Sequence, residues 1–192
     1  MRPPILCAAL TAMLAASAGI ARAPVIVDRW RPGPPPARGA EALRATMLVA
    51  HNAARRAAGV GPLVWDEALA RNAWSYARTL ARTGRFAHAP RLPGAVLQGE
   101  NLWMGTRGAF THTEMVQGWI DERRHFRRGR FPDVSRTGRP GDVGHYTQII
   151  WSRTLRVGCA LAASRSNEYL VCRYSPAGNY LGQDPLAGQL GP

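Results

Sequence analysis

Two cysteines near the end of the chain constrain its fold more than any other feature. "LRVGCALAA" (Leu155–Ala163) and "EYLVCRYS" (Glu168–Ser175) both have strand character, and "SRSN" (Ser164–Asn167) between them is turn chemistry. If those four residues form the loop, Ala163 pairs with Glu168, and counting back places Cys159 directly opposite Cys172. Facing residues on antiparallel strands lie about 4.5–5.5 Å apart at Cα, inside the range a disulfide spans. A bridge closing so modest a loop is worth roughly 3 kcal/mol. The spacing matches neither a CxxC redox pair nor a zinc ribbon, so the expected role is structural.

The third cysteine, Cys7, lies in a leader. Arg2 precedes a mostly apolar stretch from Ile5 to Ile20, followed by Ala21-Arg22-Ala23, a small-x-small cleavage signature. The stretch falls short of the roughly 20 apolar residues a spanning helix needs. Residues 1–23 therefore read as a cleaved signal peptide, and the mature chain as secreted or periplasmic, where a disulfide persists. Residues 24–38 contain "RPGPPPAR", whose prolines block a helix and favour extended backbone, so they read as a linker. Residues 39–192 suit one domain, expected to be a monomer.

The chain carries 25 basic and 12 acidic residues, a net charge of +13, and every basic residue is arginine. Such a balance favours polyanions, including anionic envelope polymers. The densest run, Arg123 to Arg139, interleaves Phe126 and Phe131 in a way that superficially suits nucleic acid. The total absence of lysine instead points to a coding bias, and an exported protein seldom meets nucleic acid, so no specific nucleic-acid partner is expected.

Three helices precede the hairpin. The first spans about Ala40 to Ala58, and within it His51 and Asn52 read as buried hydrogen-bonders. The second is capped by Asp66 and runs to Thr83, with Gly84 as its stop. The third opens at Thr111 with capping-box spacing to Glu114 and is expected to continue to Phe126. His112 is expected at its surface, and Asp121 with His125 as a solvated pair four residues apart. Met115, Trp119 and Phe126 make an apolar stripe on which Glu122 also falls. A carboxylate directed inward costs several kcal/mol unless it meets a cation, a donor or water. An arginine in a structural ion pair would satisfy it, and so would a polar cleft.

Two further junctions place His88 after the second helix and Glu100 with Asn101 beside a strand-like stretch, where Gly99 suggests close backbone approach. With Glu122 and His145 they supply two imidazoles and two carboxylates from four segments, a set able to hold a divalent ion or polarise a water. Neither HExxH nor G-x-S-x-G occurs, so the local signatures of a metalloprotease or serine hydrolase are lacking.

"GHYTQIIWSRTLRVGCA", "YLVCRYSPAGNY", "HNAARRAAGVGPLVWDEALARNAWSYA" and "GENLW" together resemble the motifs of the cysteine-rich secretory, antigen 5 and pathogenesis-related 1 proteins, the CAP or SCP domain. The resemblance covers about Leu43 to Tyr180. It implies an α+β fold, a three-layer α-β-α sandwich with a small antiparallel sheet between helical layers. It also implies a cleft lined by His88, Glu100, Glu122 and His145, with His145 at the start of a short helix anchored by Ile149, Ile150 and Trp151. The function expected on this basis is binding of a divalent ion, zinc foremost, or of a lipid or other hydrophobic molecule. The alternatives are a hydrolase using Glu100 or Glu122 as general base, and an arginine-driven adhesin for envelope polymers.

Overall fold

The computed structural model describes residues 38–90 and 97–188; the expected signal peptide and all but the last residue of the expected linker lie outside the described residues. In chain order the elements are α1 (Ala40–Ala57), β1 (Val64–Trp65), α2 (Glu67–Thr83), β2 (Gly99–Thr106), α3 (His112–Ile120), α4 (Gly144–Ile149), β3 (Arg156–Ala163) and β4 (Asn167–Ser175). The strands form one sheet in the order β1-β3-β4-β2. The sheet is antiparallel except at β1, a two-residue strand that runs parallel to β3 and covers only Arg156 and Val157.

The hairpin has the register expected from its turn: Ala163 faces Glu168 and Cys159 faces Cys172. The two cysteines form the disulfide, with 4.1 Å between Cα atoms. So short a separation marks a non-hydrogen-bonded pair, in which both residues turn their backbone polar groups away from each other.

Side-chain alternation along the strands gives the sheet two apolar faces. On one, Leu43 and Met47 of α1, Met115 and Trp119 of α3, and Ile149 of α4 pack on Cys159, Leu170 and Cys172. On the other, Ala73, Ala77 and Leu80 of α2 pack on Leu102, Ala160, Tyr169 and Val171. This is the three-layer sandwich. Helix α2 lies against β3 because Gly158 has no side chain: a Cβ there would stand 2.3 Å from the Ala70 nitrogen.

The helix ends follow their capping residues. Asp66 accepts from the amides of Ala68 and Leu69, Gly84 closes α2 in the left-handed conformation, and Thr111 with Glu114 completes a capping box. The third helix departs from expectation, since its α-helical part ends at Ile120 and Asp121–His125 tighten into a 3₁₀ turn. Asp121 and His125 do not pair: Asp121 accepts from Gln117 at 2.7 Å, and His125 accepts from the Arg124 guanidinium at 3.0 Å. His112 is not at the surface either. It is 6% exposed, because α1 packs along α3 and covers it at the Ala42 backbone.

Candidate functional site: two histidine–glutamate pairs at the edge strand

Glu122 meets the polar partner its inward direction required, and that partner is the start of α4. Its Oε2 accepts from the backbone amides of His145 at 2.9 Å and Tyr146 at 3.0 Å, while Oε1 takes the His145 Nδ1 at 2.6 Å. Val143, the residue before the helix, makes no side-chain cap. A carboxylate from a distant segment therefore does the work a local Ser or Asp would do, satisfying free amides at a helix start. His145 is further held by Trp119, whose ring stacks on the imidazole at 5.8 Å and 16°. Asn179, at φ 57°, closes the same turn: its amide donates to the Gly144 carbonyl and its oxygen accepts from Thr147.

Glu100 forms the matching pair. Its Oε1 takes His88 Nδ1 at 2.6 Å and the Ala89 amide at 3.0 Å. Arg173, opposite Glu100 on β4, brings a guanidinium nitrogen within 2.8 Å of Oε2. That approach is an ion pair by distance, but its direction is poor, and Glu100 Oε2 and Arg173 Nε remain buried without a hydrogen bond. Arg173 also lies over the Tyr76 ring, 5.3 Å from its centroid, and Tyr76 donates to the Ala87 carbonyl just before His88.

The two pairs flank the beginning of β2 from opposite sides. Successive residues on a strand face opposite ways, so Glu100 points toward α2 and Asn101 toward α1 and α3. Asn101 donates to the His145 carbonyl at 3.1 Å and to the Tyr174 hydroxyl at 3.0 Å. Tyr174 in turn meets His51 Nε2 at 2.8 Å, and His51 Nδ1 bonds the Met47 carbonyl. Burial raises the Tyr174 phenol and pushes the His51 imidazole down to about 4, so both are neutral struts that support α4. Gly99 admits the side chain of Gln148 from α4, whose Oε1 would stand 2.1 Å from a Cβ at that position.

All four residues singled out in the sequence thus come to one end of the sheet, as two pairs rather than one ring. Among the described residues no three or more His, Cys, Asp or Glu side chains are gathered as a ready metal cluster. Asn101 was noted beside Glu100, whereas Arg173, Tyr174 and Asn179 were not anticipated. For Arg173 the signal would have been its register opposite Glu100, which needs the β2–β4 pairing to be known.

The chemistry follows from the hydrogen bonds. An ionised carboxylate only accepts, so each histidine donates its Nδ1–H and presents Nε2 outward. The His88 side chain is 60% exposed and that of His145 31%, against 8% for Glu100 and 17% for Glu122. The imidazoles are thus the reachable groups, and both glutamates are engaged behind them.

The chain has relatives among known proteins. It is 41% identical over 138 residues to a pathogenesis-related protein of PR-1 type from Sambucus nigra, covering 71% of this chain and 77% of that protein. It is 39% identical over 140 residues to pathogenesis-related protein 1A of Nicotiana tabacum, covering 72% and 77%. Among solved structures, NaASP2 with Zn2+ superposes with a TM-score of 0.64 at 23% identity, covering 76% of this chain and 85% of that one. BmVAL-1 gives 0.63 at 23%, covering 77% and 83%. These likenesses support the sandwich fold. With the model of the cysteine-rich secretory protein family matching residues 48–174, the segment that holds nearly the whole sheet and all four paired residues, the chain belongs to that family.

Proposed function

We propose that the two histidine–glutamate pairs form a divalent-ion site in an exported protein, with His88 and His145 as ligands through Nε2. The supporting observation is that each imidazole donates Nδ1–H to a carboxylate, at 2.6 Å in both pairs, which fixes the tautomer and leaves Nε2 free. A carboxylate behind a histidine is the usual outer partner of a zinc-ligating imidazole, raising its basicity and holding its plane. Glu100 and Glu122 are positioning residues in this reading, and water completes the coordination. The NaASP2 structure determined with Zn2+ is a fold neighbour, which favours zinc as the first ion to test. The disulfide supports export, since such bridges persist in oxidising compartments.

Calorimetric titration of the domain with zinc is the test. His88→Ala combined with His145→Ala should abolish the binding isotherm, while Glu122→Gln or Glu100→Gln should weaken it about 10–100-fold. Affinity should fall on acidification, because a protonated imidazole cannot ligate. A parent protein that takes up no zinc, or a double histidine variant that binds as well as the parent, would overturn the assignment.

The second reading, a hydrolase, draws on the same free Nε2 atoms as proton acceptors. In it the histidines act as general bases, since Glu122 already accepts two amides and an imidazole.

A further inference from the structure

Beyond Val157 the outer edge of β3 has no neighbour among the described residues, because β1 ends after two residues. The direction of the free groups can be read from the ladder. Val157 turns its carbonyl toward β1, accepting from Asp66 at 2.9 Å. Alternation then turns the N–H and C=O of Cys159, Leu161 and Ala163 to the same side. The 4.1 Å Cα separation at the disulfide independently requires that Cys159 face away from β4.

These groups open into a groove of about 610 Å³ that runs between the start of α1 and the flank of α2, walled by Leu43, Trp65, Ala70 and Trp74. A second hollow, about 530 Å³, continues it past Trp74 to Arg78 and Arg82. The edge lies in a groove lined by both helices, a setting that suits a single extended chain better than another folded sheet. A lipid tail would leave the backbone donors and acceptors unanswered; a peptide strand answers them. The groove's own acids are Glu67, paired with Arg44, Glu168, paired with Arg38, and Glu41 on the α1 wall; on the α2 side Arg71, Arg78 and Arg82 border the two hollows, and none of these three has an acidic partner among the described residues. Trp74, 47% exposed, stands between them with the Arg78 guanidinium over its ring.

We infer that this groove is a docking site for an extended acidic peptide, which adds a strand along Cys159–Ala163 and sets its carboxylates against Arg71 and Arg78. The site is separate from the histidine pairs and needs no ion.

The test uses a fluorescently labelled seven-residue peptide of alternating valine and aspartate, followed by anisotropy with the intact chain and with a chain beginning at Arg38. Saturable binding is expected, weakened at least about tenfold by Arg71→Glu with Arg78→Glu, as charge-assisted contacts are lost. Ala163→Pro, which removes one outward N–H without touching the β3–β4 ladder, should weaken it similarly. A peptide N-methylated at alternate amides should not bind, and thermal melts of the variants should match the parent. The proposal is overturned if the N-methylated peptide binds equally, if the arginine and proline variants bind undiminished, or if neither chain binds the probe. It is also overturned if only the shortened chain binds, which would make the preceding segment the natural occupant.

Discussion

At His51 the fold makes stability depend on pH. The ring is fully buried, and burial lowers its pKa from 6.5 to about 4. The unfolded chain therefore takes up a proton between those values that the native chain refuses, so stability is intact above pH 6.5 and falls as pH drops toward 4. The total loss from this one residue is on the order of 3 kcal/mol. Burial shifts His112 in the same direction and adds to the effect. Urea midpoints at pH 7 and pH 4.5 should show the decline, and His51→Gln should flatten it; an equal slope in that variant would remove His51 as its source. The burial of His51 was legible from its place one turn after Met47 in a helix. The position of His112 was not, because its capping box describes the backbone around it and says nothing of where an adjacent ring turns.

Helix α4 is short, yet it carries His145, and its stability comes from outside itself. Glu122 serves its first amides, and Arg55, 1% exposed on α1, donates to the carbonyls of Ile149, Trp151 and Thr154 around its far end. An anion at the start and a cation at the end suit the alignment of peptide dipoles. Arg55→Met keeps the apolar stem but takes the guanidinium from the carbonyls of Ile149, Thr154 and Gly61, and leaves that of Trp151 only the Thr154 amide. The expected cost is about 3 kcal/mol or more by urea unfolding, and a loss below about 1 kcal/mol would mean that water replaces the guanidinium. The sequence placed Glu122 on an inward stripe by helical period, and the inward direction survives although the helix tightens at Asp121. What it meets was not legible, because α4 lies 23 residues further on and only the tertiary fold brings the two together.

For the molecule as a whole, local signals carried the elements and long-range pairing carried the site. Capping residues marked α2 and α3, and a four-residue turn set the β3–β4 register and the disulfide. By contrast, β1 is too short to announce itself, and the pairing of β2 with β4, which puts Arg173 opposite Glu100, has no local marker. The bridge lies inside one hairpin, 13 residues apart, and ties no two layers together. Replacing both cysteines with alanine should cost about 3 kcal/mol of unfolding free energy while leaving the circular dichroism of the folded chain unchanged. A lost helical signal would show that the bridge holds more than its own strands.

His88 follows the helix on one side of the sheet, and His145 begins a helix on the other. Anything gripped by both imidazoles would act as a clasp across the sheet's rim, coupling two slabs of the molecule that are otherwise joined through the strands between them and through the Arg44–Glu67 ion pair.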